Sequence, residues 1–181
     1  GRIIIFGGVG PAHGSRDTDD DEEESGGFLG DTWILHTEPG AYRWEKPETT
    51  GAPPAPRRGH RAVIQKNMMV VLGGYPSHGE PVTEVAQLPI REPRESGGNV
   101  IGVFTLNLET WAWDRCNVSG HVPRGLALFG CATDYWENKS VSPRLYIFGG
   151  HEFVVPHAAS CVNTLWEADI SEILEPSLFR D

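Results

Sequence analysis

Cysteine is nearly absent from this chain. The three that occur, Cys116, Cys131 and Cys161, are an odd number at wide spacings, which excludes a disulfide framework and a Cys-x-x-Cys metal knuckle. They read as free thiols of a reducing compartment, so the cytosol or the nucleus is the expected location. Against it stand two Asn-x-Ser sequons, Asn117-Val118-Ser119 and Asn138-Lys139-Ser140, which matter only in a secreted protein. Basic charge is short as well: 15 Lys and Arg face 25 Asp and Glu, a formal net charge of −10. That balance offers no footprint for nucleic acid. No apolar run approaches the length of a membrane-spanning helix. Tyrosine numbers only four, and no nucleophile–base motif or phosphate-cradling loop occurs. The chain opens on Gly1 instead of Met, so the sequence leaves open whether a signal peptide precedes it.

What is present is turn-rich: Gly 22, Pro 14 and six Trp in 181 residues. Three short apolar runs each end in a double glycine: Ile3-Ile4-Ile5-Phe6-Gly7-Gly8, Met69-Val70-Val71-Leu72-Gly73-Gly74 and Leu145-Tyr146-Ile147-Phe148-Gly149-Gly150. Each is too short for a helix and shows no polar alternation, the pattern of a strand buried on both faces. The glycines admit φ > 0 and the close approach of another segment. A further element follows each run. After the first come Asp31-Thr32-Trp33-Ile34-Leu35 and Tyr42-Arg43-Trp44. After the second come residues 100–106 and Thr110-Trp111-Ala112-Trp113, and after the third residues 163–170. Pro56-Arg57-Arg58-Gly59-His60 and Pro123-Arg124-Gly125-Leu126 introduce the second and third units. Self-similarity at a long period is a statement about architecture.

This order of elements resembles the kelch repeat, a four-stranded antiparallel blade of a β-propeller. The resemblance covers nearly the whole chain apart from loop insertions and the last dozen residues. It implies an all-β fold of incomplete kelch-type propeller. Residues 1–55 form a blade that lacks its first strand, 56–122 a complete blade, and 123–181 a partial blade with an atypical C-terminal segment and no closing Trp. Propellers close with about four to eight blades. The expected form is therefore an open arc or a piece of a closed propeller, its apolar ends covered by further blades of a longer chain or by self-association. Successive glycine pairs are 66 and 76 residues apart, against about 50 for a kelch unit. The excess falls in the segments after each pair, 9–29, 75–99 and 151–162, and near 135–142. In this alignment Leu126 takes the place of His60.

The repeat is marked by Gly7, Gly8, Trp44, Arg57, Gly59, His60, Gly73, Gly74, Trp113, Arg124, Gly125, Gly149 and Gly150. Arg57, Arg58 and His60 enter an innermost strand. They read as structural groups paired with backbone carbonyls or a carboxylate, with bidentate capture of an acidic peptide as the alternative. Trp33, Trp44, Trp113 and Trp166 read as blade-packing aromatics. Trp111 and Trp113 alternate and are expected on opposite faces. Seven of the negative charges lie between Asp17 and Glu24. Asp17, Asp19 and Asp21 imitate the start of a calcium loop, but Glu22 and Phe28 stand where its glycine and closing glutamate belong. The run reads as a solvated insertion, or as a docking site for a basic partner. His151, Glu152 and His157 have the donors for zinc or iron, yet no helical or hairpin register is expected to aim them together. No metal or cofactor is therefore assigned.

Two function classes follow from the resemblance. The first is a protein-interaction scaffold or adaptor that presents the loops of one rim to a partner, with Tyr75, His78, His151, Phe153 and His157 as anchors. The second is an enzyme of kelch architecture, a copper oxidase or a sugar isomerase. The oxidase needs a Cys–Tyr–His–Tyr arrangement that tyrosines 42, 75, 135 and 146 do not supply, so the interaction scaffold is the expected function.

Overall fold

The computed structural model of the chain describes residues 1–10, 27–76, 101–117, 121, 123, 125–134, 142–155 and 158–171. Most of them lie in β-strands, paired antiparallel with one short exception, and none of the sheets closes on itself. The first sheet has three strands, β1 (Arg2–Val9), β2 (Phe28–Glu38) and β3 (Ala41–Glu45), paired in that order. A short strand, β4 (Thr50–Gly51), leaves it and lies parallel to the outermost strand of the next sheet.

The second sheet is a complete blade. A short strand β5 (Arg57–Arg58) precedes β6 (Arg61–Gln65) and β7 (Met68–Leu72). After the Gly73-Gly74 kink, β8 (Tyr75–Pro76) returns along β5, and β9 (Val103–Asn107) and β10 (Ala112–Arg115) finish the unit. Spatial order is β6-β7-β9-β10, the order expected of the repeat. The third sheet contains β11 (Leu126–Ala127), β12 (Gly130–Thr133), β13 (Arg144–Val155) and β14 (Ala158–Asp169), with both β11 and β12 paired to β13. The three sheets are thus kelch-type blades, the outer two without one strand each among the described residues.

The apolar runs do what their lack of alternation predicted only where sheets lie on both sides. Along β7 every residue is buried. Met68, Val70 and Leu72 join Leu126, Phe129, Leu145 and Ile147 of the third blade, while Met69 and Val71 join Phe6 of the first together with Phe104, Leu106 and Trp113. Each such side chain contributes about 1.5–3 kcal/mol when withdrawn from water, so the middle blade holds both neighbours. Trp33 and Trp44 depart from the packing expected of them. They lie on the side of the first blade that faces no other described sheet and are exposed. Trp111 departs too: at φ +55 it sits in the turn before β10, where strand alternation does not apply, and it packs against the same cluster as Trp113.

The glycine pairs join one blade to the next. Gly7 and Gly73 have φ of 60° and 59°, a region that L side chains avoid. A Cβ on Gly7 would stand 2.9 Å from the Arg57 carbonyl oxygen, and one on Gly73 would collide with the Leu126 carbonyl. That same Leu126 oxygen accepts the Gly74 N–H at 2.8 Å. The second glycine of the later two pairs is tight against its own blade instead: Gly74 against the Arg58 carbonyl and His60, Gly150 against the Ala127 carbonyl and Phe129; Gly8 has open space around it.

These contacts correct one register. Arg57 and Leu126 hold the same place, as do His60 and Phe129, so Leu126 is not the counterpart of His60. The Arg-Gly dipeptides at 58–59 and 124–125 suggested an alignment three residues out. The true counterpart of Gly59 is Leu128, which takes φ +57 where Gly59 takes +68.

Gly73→Ala is expected to cost about 3 kcal/mol, combining left-handed strain with overpacking against fixed backbone. Gly40→Ala, at φ +82 with open space around it, should cost about 1 kcal/mol from strain alone. Urea unfolding of both variants measures the difference.

Candidate functional site

The segments after the glycine pairs meet at one rim. In the first blade Val9 pairs with Phe28, continuing the ribbon beyond Gly8. In the second, β8 carries Tyr75 opposite Arg58. In the third, β13 runs on past Gly150, with His151 opposite both Ala127 and Cys161. Residues 151–162 were expected as a loop. Residues 151–155 and 158–162 instead belong to the long paired strands β13 and β14, in keeping with the strand preference of Val154 and Val155.

Side chains bridge these ribbons in a row. The Arg58 guanidinium lies 5.1 Å from the Phe28 ring centre and 5.6 Å from that of Tyr75. The Tyr75 hydroxyl is 3.4 Å from His151 Nδ1. Leu128 is exposed beside them and packs on Gly59, close to Tyr75. Phe28, Arg58, Tyr75 and His151 therefore form a continuous line over three blades. Tyr75 and His151 were singled out from the sequence as rim anchors, and Arg58 as a structural group with capture of an acidic peptide as the alternative. Phe153 belongs to β13, opposite Ala159. His78, His157, Arg124 and the acidic run 17–24 lie outside the described residues.

Below the row, Arg57 is turned inward. Its Nε donates to the Ala55 carbonyl at 3.0 Å and its Nη1 to the Gly73 carbonyl at 2.8 Å, and its guanidinium lies over Phe104 at 4.9 Å. A buried arginine is tolerated because its donors meet acceptors. Adjacent strand residues point to opposite faces, which is why Arg57 is buried and Arg58 exposed. The same alternation separates the side chains of His151 and Glu152, so the strand does not aim this pair at one point. Among the described residues no three His, Cys, Asp or Glu are grouped to hold a metal ion.

His60 sits between the first two blades. Its ring meets Phe6 edge-on at 5.6 Å and hydrogen-bonds to the Phe6 backbone. Its Nδ1 is buried without a hydrogen-bond partner. Burial, and then the nearby Arg57 charge, push its pKa below the ordinary histidine value. Burial likewise raises the thiol pKa of Cys116 and Cys131, which makes both poor nucleophiles.

No family model matches the chain. Individual proteins do. Host cell factor of Drosophila melanogaster is 30% identical over 177 residues, covering 95% of this chain, and Host cell factor 1 of Homo sapiens is 25% identical over 205 residues, covering 99%. Kelch domain-containing protein 2 of Bos taurus is 28% identical over 160 residues, covering 82% of the chain. With the blade topology, these similarities identify the repeat. The chain is a kelch-type repeat domain. It spans 8–10% of the length of those two host cell factors and 32% of the bovine kelch protein. In this kelch arrangement Trp113 is buried in a core, Trp166 is half-buried and stacked on His121, and Trp44 is left in solvent. No helix among the described residues is long and apolar enough to cross a membrane.

Because the folded state holds His60 below its unfolded pKa of about 6.5, protonation favours unfolding. The contribution is present above about pH 6.5 and is lost as pH falls through the lower folded value. His60→Phe, which installs the residue found at the same place in the third blade, should lose less stability than the unaltered chain between pH 7.5 and 5. Urea midpoints at the two pH values measure it.

Proposed function

We propose that this kelch domain is a protein-interaction module whose partner docks on the rim row of Phe28, Arg58, Tyr75 and His151. The observation that carries this reading is the continuity of that row across three blades. Tyrosine and arginine are enriched among residues that dominate binding energy, and loops on one face of a repeat protein are commonly its binding face. The acidic run 17–24, which lies between β1 and β2 in the sequence, would supply a field that attracts a basic partner surface. No catalytic role is proposed: the tyrosines among the described residues, Tyr42, Tyr75 and Tyr146, belong to three different sheets. Three free cysteines, two of them half-buried, favour a reducing compartment, the cytosol or the nucleus.

Selection of a displayed peptide library on the 181-residue chain tests the site. Arg58→Ala and Tyr75→Ala should each weaken the selected peptides by about tenfold or more, equivalent to about 1.4 kcal/mol. Trp44→Asp, on a different surface, should leave their affinity unchanged. Peptides that bind Arg58→Ala and Tyr75→Ala normally would move the site away from the rim.

A further inference from the structure

Leu128 keeps an apolar side chain on the rim where neither the backbone nor the core asks for one. In the run Leu126-Ala127-Leu128-Phe129 the other three residues are buried, while Leu128 is 52% exposed. Among the described residues it belongs to neither apolar cluster. Its backbone is left-handed, at φ +57, a conformation that leucine avoids and glycine adopts freely. Lys66 and Trp111 share that conformation, but both lie in turns between consecutive paired strands, where turn closure demands it. Leu128 closes no such turn, since β11 and β12 both pair with β13 and not with each other. Its N–H donates to the Gly59 carbonyl at 2.8 Å, a tie between blades that glycine would make as well. The equivalent residue of the second blade is glycine itself, Gly59. Leu128 stands at the joint between the second and third blades, which this chain forms by itself, so its exposure is not that of an end face.

We infer that Leu128 is a specificity-determining residue of the rim site, seating an aliphatic or aromatic side chain of the partner protein. A Cβ placed on Gly59 would stand 3.2 Å from Leu128 Cδ2 and 3.4 Å from Tyr75 Cδ2, so the leucine and the tyrosine ring converge over bare backbone. Together they make a small apolar platform. Arg58 holds its guanidinium against the same Tyr75 ring. A lysine or arginine laid on the platform would meet that like charge, which leaves neutral apolar side chains favoured. Left-handed strain at non-glycine residues gathers at ligand-contacting positions, and here it is borne by a residue whose apolar surface faces outward. The inference rests on the rim site proposed above and adds to it the kind of side chain that the row selects.

Peptides selected from a displayed random library on the 181-residue chain, each then scanned with alanine, test the assignment. Leu128→Asn and Leu128→Gly both suit a left-handed backbone, and circular dichroism with urea midpoints checks that they remain folded. The selected peptides should share one apolar position. Both variants should weaken them by about tenfold or more, while Leu128→Met, which keeps an apolar side chain, should stay within about threefold. Peptides with alanine at the apolar position should bind the unaltered chain and Leu128→Asn alike, because the coupling between two side chains is lost once either is removed. Equal weakening of the parent peptide and its alanine variant by Leu128→Asn would mark a purely structural role and overturn the inference. Peptides weakened by Arg58→Ala and Tyr75→Ala but indifferent to Leu128→Asn would overturn it too, and would leave the rim site standing. A library without binders, or peptides indifferent to all of these changes, would overturn both.

Discussion

Everything in this structure depends on how closely one blade's backbone approaches the next. The Leu126 carbonyl reaches into the space a side chain at Gly73 would occupy and takes the Gly74 N–H as donor. Arg57 repeats the approach at Gly7. A main-chain contact of this kind sets the distance between sheets before any side chain packs. The alternating residues of β7 then interdigitate with both neighbours at that distance. The buried Arg57 guanidinium fixes the same point from the side-chain direction, since it donates to the Gly73 carbonyl. Glycine at the joint and arginine beneath it are therefore two parts of one device. Its third-blade counterpart, with Leu126 in the arginine position, relies on apolar packing instead.

The middle blade and the outer blades share a sequence pattern and differ in environment. Similar apolar runs are sealed in β7 and half-open in β1 and β13. Exposure of Trp44 against burial of Trp113 is thus no property of tryptophan or of the strand it occupies. It records whether another sheet lies across from it.

Much of the architecture was legible in the sequence because the repeat writes it three times. The glycine pairs located the second strand of each blade, and the residues after them gave the strand order seen in the sheets. The register between blades was not legible. Arg124-Gly125 imitates Arg58-Gly59 in composition, whereas the position that matters is the one with φ > 0, held by glycine in one blade and by Leu128 in the other. A backbone conformation that a non-glycine residue adopts under tertiary constraint leaves no compositional mark. The strand pairing beyond Gly150 was hidden for another reason: excess length over a repeat period looks like a loop whether or not it pairs. Of the rim row, Tyr75 and His151 were visible as polar aromatics after glycine pairs. Arg58 was visible only as a strand-entry arginine; its pairing opposite Tyr75 and its contact with Phe28 of the first blade connect residues distant in the chain.

Arg58 shows what the rim arrangement changes for a ligand. A free arginine side chain carries about 2 kcal/mol of rotamer entropy, and a binding event ordinarily surrenders part of it for each long side chain it immobilises. Here aromatic rings from two blades flank the guanidinium, and the rings themselves belong to paired strands. Part of that ordering is complete before any ligand arrives. The same contact that laces two blades together leaves the arginine pre-set, so at the proposed site stiffness in the scaffold would favour ligands shaped to one guanidinium orientation.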